Sequence, residues 1–187
     1  MEYKESRLLF KFEEKHWSVV KYDNEHFYRE KIHKAIPKTK SVDFIGIYNG
    51  QALVFFEIKN YRKNSKEEST KKILQYNAEN LCLKIAKKVR DTVPGIIGAN
   101  RNINFDGDFW EKSKNLLANS KFDVIIIAWI EEDNLPNRDS RTEKVKLSTR
   151  KSKLKQKLNW LTQKVFFHNI NNAPDFSGFS CEFISGS

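Results

Sequence analysis

Residues 41–62, SVDFIGIYNGQALVFFEIKNYR, read as two apolar strands joined by a turn near Asn49-Gly50, yet Asp43, Glu57 and Lys59 sit inside those strands. Taking a lone charge out of water is expensive, so buried charges need partners or a metal ion. Side chains alternate between faces along a strand, so Glu57 and Lys59, two positions apart, leave the same face. The turn decides whether Asp43 joins them. A two-residue turn opposes Tyr48 and Gln51 and sends Asp43 to the other face. A three-residue turn, Tyr48-Asn49-Gly50, opposes Ile47 and Gln51, puts Gly50 in the left-handed region of a bulge, and gathers all three charges. A shared site therefore requires the second arrangement, or a bulge elsewhere in the hairpin.

Gathered on one face, the three groups have a definite chemistry. Two converging carboxylates bind a hard divalent cation such as Mg2+ or Mn2+, with waters completing the shell. Such an ion neutralises a phosphate and activates water. A lysine beside it orients or deprotonates that water, or stabilises the charge of the transition state. This is equipment for hydrolysing a phosphodiester. The competing account is a buried ion pair of Lys59 with Asp43 or Glu57, although three charges in one apolar hairpin exceed what a single pair requires.

Upstream, LLFKFEEKHWSVVKYD fits a hairpin, with Leu8, Phe10 and Phe12 alternating against Trp17, Val19 and Lys21; a helix followed by a strand is the alternative. DNEHFYREKIHKAI predicts a helix capped by Asp23 or Asn24, with Phe27, Tyr28, Ile32 and Ile36 facing the core and Pro37 ending it. Downstream, Ile73, Leu74, Ala78, Leu81, Ile85 and Val89 form a helical stripe, stopped by Pro94-Gly95. A shorter helix is expected over Phe109 to Leu117. FDVIIIAWIEE is a continuous, β-branched apolar run, the mark of a strand buried on both faces. NLPNRDSRTEKVKLSTRKSK is charged and loop-like, with Ser148 or Thr149 capping a basic helix through Leu154, Leu158 and Leu161. VFFHNI is a last strand, and the tail from Asn171 reads as irregular. The pattern is one mixed α/β domain over residues 1–187.

The 187 residues carry 34 Lys and Arg against 24 Asp and Glu, a net charge of +10, which favours a polyanionic partner, nucleic acid first. A lysine-rich surface that keeps the protein soluble is the plainer explanation. Cys82 and Cys181 show no metal-ligand spacing and are too few for a disulfide framework, in keeping with a reducing cytoplasm. The longest apolar run, Val124 to Ile130, is too short for a bilayer, and the first residues lack a signal-peptide core, so no membrane association is expected. His16, His26, His33 and His168 share no metal spacing, and the seven glycines form no phosphate-cradling loop.

SVDF followed across the hairpin by FFEIKNYR resembles the PD-(D/E)xK nuclease superfamily, whose signature is an Asp and then Glu-x-Lys on adjoining strands. The resemblance implies a restriction-endonuclease-like fold, a central mixed β-sheet flanked by helices. It also implies Asp43 and Glu57 as metal ligands, Lys59 as the catalytic lysine, and Mg2+ or Mn2+ as cofactor. Val42 stands where the motif often has Pro. VKYDNEHFYR, KSVDFIGI, FEIKNYR, AKKVRDTVPGIIGA, FDVIIIAWIEED and KLKQKLNWLTQKV are together similar to a bacterial group of small proteins of this type. Many of those carry Asp where this chain has Asn60.

Nucleases of that kind often recruit another acidic residue from a helix before the sheet, which singles out Asp23, Glu30 and Glu13; for Asp23 the rival role is a helix cap. Gln75 is a candidate polar residue near the lysine, against a plain solvated position. Arg90 pairs with Asp91 or contacts a phosphate. Arg150, Lys151 and Lys153 in STRKSKLKQK, with Arg62 just past the signature, are candidate nucleic-acid contacts, against a solvated basic helix face. The expectation is a metal-dependent nuclease acting on DNA, and relatives that cleave two strands as dimers make a homodimer compatible. The rival is a non-catalytic nucleic-acid-binding or scaffold subunit; a third account is a structural protein with a basic surface.

Overall fold

The computed structural model describes residues 1–62, 78–102, 107–133 and 140–184. The strands are β1 (Glu2–Glu5), β2 (Leu8–Phe12), β3 (Trp17–Lys21), β4 (Phe44–Tyr48), β5 (Ala52–Asn60), β6 (Asp123–Glu131), β7 (Lys164–His168) and β8 (Phe179–Phe183). The α-helices are α1 (Ala78–Arg101), α2 (Gly107–Ala118) and α3 (Ser140–Leu158). A 3-10 turn at Tyr22–Asn24 and a π-helical turn at Tyr28–His33 link β3 to β4.

The architecture is mixed α and β. A five-stranded sheet runs in the order β3-β4-β5-β6-β7, and a three-stranded sheet in the order β1-β2-β8. The pairs β3–β4 and β4–β5 are antiparallel, while β5–β6 and β6–β7 are parallel. β5 and β6 are apolar on both faces because both are covered. On one side Leu53, Phe55, Ile126 and Ala128 pack with Leu81, Ile85 and Val89 of α1, Trp110 of α2 and Leu154 of α3. On the other, Val54, Phe56, Ile127 and Trp129 pack against Leu8, Phe10 and Phe12 of β2. The expected flanking helices thus cover one face only, and the small sheet covers the other. No helix among the described residues is long and apolar enough to cross a membrane.

Several local expectations are corrected. Leu8–Phe12 and Trp17–Lys21 are both strands but do not pair as a hairpin. β2 pairs with β1 and β8, and β3 with β4. The turn between them, with His16 and Trp17 N–H groups both donating to Glu13 O, carries the chain from one sheet to the other. The helix after Asp23 is only a short π-wound turn; Phe27 and Tyr28 are buried, but Ile36 is 57% exposed. α1 continues through Pro94-Gly95 to Arg101, because the extra turns bury Ile96 and Ala99. That burial offsets the cost of a proline inside a helix. Ser148 and Thr149 lie inside α3, which is already formed at Ser140. The tail contains β8, and β1 precedes the first expected strand. Ile73, Leu74 and Gln75 lie outside the described residues.

Candidate functional site

The turn follows neither expected register. Asn49 (φ 47°) and Gly50 (φ 67°) both take left-handed conformations, and Gln51 N–H donates to Tyr48 O (3.0 Å). This is the two-residue turn whose twist suits a hairpin. The ladder nevertheless pairs Tyr48 with Ala52, so Gln51 is an inserted residue and the bulge follows the turn. Gln51 O accepts Asp123 N–H (3.3 Å), which ties the bulge to β6. Its effect is the one the site requires: every later residue of β5 shifts by one, and Asp43 shares the face of Glu57 and Lys59.

Beyond the last ladder pair, Phe44 with Phe56, Asp43 straddles Glu57. Its N–H donates to Phe56 O (3.0 Å), and its Oδ2 accepts Ile58 N–H (2.6 Å). Asp43 is 6% exposed and Glu57 1%, on the helix-covered face of the sheet. Lys59 Nζ lies 2.5 Å from Glu57 Oε1 and donates to Ile58 O (3.1 Å). The three residues singled out in the hairpin do converge.

Sequence reasoning missed the fourth member, Lys88 of α1. Its Nζ lies 2.7 Å from Glu57 Oε2 and 3.2 Å from Asp43 Oδ1 and so bridges the two carboxylates. The signal was present, since Lys88 falls on the buried stripe Leu81-Ile85-Lys88-Thr92 at helical spacing, where a lysine needs a partner. α1 is held there by the segment before Asp43. Val42 N–H donates to Thr92 Oγ1 (3.1 Å), a bond that a proline at position 42 could not make, and Lys40 N–H donates to Asp91 Oδ2 (3.1 Å).

Burial and the neighbouring Asp43 raise the Glu57 carboxyl to about 7, although Lys59 and Lys88 pull the other way. Burial disfavours the charge on Lys88, but Glu57 and Asp43 outweigh it and hold its ammonium above the ordinary lysine value. Neither Glu57 oxygen has a well-directed hydrogen bond despite the ammonium groups at 2.5 and 2.7 Å. The cluster is bound by charge more than by fitted geometry.

Asp23 lies beside this cluster, since Tyr22 N–H donates to Asp43 O (2.9 Å). It makes no cap bond to either short helical turn, and its Oδ1 is buried without a hydrogen-bond partner. Burial raises its carboxyl, with Asp43 and Glu5 adding and Lys21 and Lys88 opposing. Glu30 pairs instead with Lys34, and Glu13 lies in the turn between the sheets, so neither joins the cluster.

The candidate phosphate contacts are dispersed. Arg90 pairs with Asp91 (2.7 Å). Arg150 is buried, with its guanidinium 2.5 Å from Glu132 Oε1, and so faces inward. Lys151 lies over the Phe166 ring (5.2 Å), Lys153 pairs with Glu79 (3.0 Å), and Arg62 stacks on Phe183 (4.3 Å). Asn60 donates to Ser6 O (2.8 Å) and accepts Arg62 N–H (3.1 Å), a link between the two sheets.

Among the described residues no three His, Cys, Asp or Glu side chains gather in metal-binding geometry. Asp43 and Glu57 do share one cation, the Lys88 ammonium, and Asp23 adds an orphaned buried oxygen nearby. Two hard oxygen donors with a stand-in cation between them suit an ion such as Mg2+, which keeps most of its waters. Comparison of the chain with protein-family models, curated proteins and solved structures gave no match.

Proposed function

We propose that the chain is a metal-dependent nuclease of restriction-endonuclease-like fold that hydrolyses phosphodiester bonds in DNA. The observation that carries this reading is the meeting of Asp43, Glu57 and Lys59 on one buried face, achieved by a bulge that an ordinary hairpin does not need. A mixed sheet with its parallel half at β5-β6-β7 is compatible with that fold. Asp43 and Glu57 would hold the ion, and Asp23 stands beside the pair, outside metal-binding geometry with them. When bound, Mg2+ supplies neutralisation of a phosphate oxygen and acidification of a water. Lys59, part-exposed at the end of β5, directs its ammonium at the charge that builds on the phosphate during attack. The net charge of +10 draws the polyanion towards the site.

The test is Mg2+-dependent cleavage of single- and double-stranded DNA by the wild type, Asp43→Ala and Lys59→Ala. Cleavage lost in both variants supports the reading; no wild-type activity, or equal activity in the variants, sinks it. One observation favours a second reading. Asp43 and Glu57 are already balanced by Lys59 and Lys88, as a structural ion cluster would be. A non-catalytic nucleic-acid-binding subunit of this kind shows salt-sensitive binding, no metal requirement and no cleavage.

A further inference from the structure

We infer that Lys88 is a displaceable internal counter-ion: its ammonium occupies the place between Asp43 and Glu57 that a divalent cation takes in the working site, and it withdraws to solvent when that cation enters. The inference rests on the metal-centre reading above and adds to it how the centre is kept and opened.

Position is the first argument. Lys88 touches both carboxylates at once, at 3.2 and 2.7 Å, and Glu57 is 1% exposed without a well-directed hydrogen bond of its own. A positively charged group suits that place. Charge is the second. With both carboxylates ionised, they and the two lysines sum to zero. A divalent ion added with Lys88 in place would leave two uncompensated positive charges in a buried cluster, which is costly. The same ion in exchange for Lys88 leaves one, which matches the single negative charge of a phosphodiester.

Release is the third argument, and it separates Lys88 from Lys59. Lys59 shares a strand with Glu57 and is also anchored on Ile58 O (3.1 Å). Among the described residues the Lys88 ammonium pairs with the two carboxylates alone, and its side chain is 19% exposed on a flexible stem. Its departure does not undock α1, because Thr92 and Asp91 hold the helix to Val42 and Lys40 independently.

The experiment is calorimetric titration of Mn2+ alone into the full chain, as wild type, Lys88→Met, Lys88→Arg and Asp43→Asn. The expected result is Mn2+ binding roughly tenfold tighter in Lys88→Met, the size of a modest coupling between competing ligands. Lys88→Arg stays near wild type and Asp43→Asn loses binding. Binding that needs Asp43 but is unchanged or weaker in Lys88→Met overturns the inference and leaves the metal centre standing. No Mn2+ binding in any form removes both. The wild type gives a reading that does not depend on a variant folding: acetic anhydride labelling of Lys88, followed by mass spectrometry, rises on Mn2+ addition. Unchanged labelling in Mn2+-saturated protein also overturns it.

Discussion

The Lys88 ammonium from α1 lies 2.7 Å from the Glu57 carboxylate in the middle of β5, and both are largely removed from solvent. A helix and the central strand of the sheet are thereby joined through a charge pair whose carboxyl is nonetheless raised to about 7. Two lysines do not overcome burial and the second carboxylate. That imbalance has measurable consequences.

Glu57 makes the metal-free protein less stable as pH rises. Its folded value lies above the ordinary 4.5, so between those values the folded state holds a proton that the unfolded chain has lost. Stability from this group is full below about 4.5 and is lost as pH rises to about 7. The shift corresponds to about 3 kcal/mol. Glu57→Gln is therefore expected to match the wild type near pH 4.5 and exceed it by that order at pH 8, in urea unfolding with chelator present.

Metal binding should release protons in the same window. A carboxyl raised to about 7 is partly protonated at pH 6.5, and a bound divalent ion favours its ionised form. Calorimetry of Mn2+ binding in buffers of different ionisation enthalpy is expected to show proton release at pH 6.5 that fades by pH 8.5. No difference between the two pH values counts against Glu57 as a ligand.

Gly95 is expected to tolerate no side chain while Tyr22 keeps its hydroxyl. A Cβ at position 95 would lie 1.9 Å from Tyr22 Oη, which is buried without a partner. Gly95→Ala should cost about 1–3 kcal/mol through overpacking, despite alanine's better helix propensity. Tyr22→Phe should be neutral or stabilising by about 1 kcal/mol, since it removes an unsatisfied buried group. The double variant should recover most of the Gly95→Ala loss.

Arg150 is expected to matter for stability more than for nucleic-acid affinity. Burial pushes the Glu132 carboxyl up, but Arg150 and Lys146 outweigh it and hold it below the ordinary range. Stability from Glu132 is thus present above the ordinary carboxylate value and lost as pH falls through its lowered one. Because Lys146 still pairs with Glu132, Arg150→Met should cost about 1.5–3 kcal/mol at pH 7, with a gap that narrows in acid. A fall in DNA affinity without loss of stability would contradict this assignment.

Asn60→Asp separates the sheet link from the site. The change removes the donor to Ser6 O and is expected to cost about 1 kcal/mol, with Mn2+ affinity unchanged.

The central strands were legible because their signals are local. The runs around Val54 and Ile126 are apolar on both faces and end up covered on both. The three hairpin charges were legible as a cluster because a buried charge must be answered somewhere. Strand partners were not. Alternation marks Leu8–Phe12 as a strand but does not say whether β3 or β8 lies beside it. β8 itself, FSCEF, alternates apolar and polar residues but is only five residues long and part-exposed, too short a signal to stand out. The start of α3 was hidden because Val145 and Leu147 are exposed, so its apolar stripe begins only near Leu154. Lys88 was overlooked because lysines are usually solvated, and its position on the buried stripe acquires meaning only once the carboxylates opposite are in place.

The pairing of β2 with β8 also bears on how the molecule comes together. Trp17 Nε1 donates to Ser177 O across 160 positions of sequence, and Phe179 packs on Phe10, Phe12 and Phe56. Until β8 arrives, the outer edge of β2 is unpaired and an aromatic surface stands open, the condition under which chains associate wrongly. Contacts of such long range slow folding. The aromatic face of the five-stranded sheet is therefore closed only when β8 docks on β2.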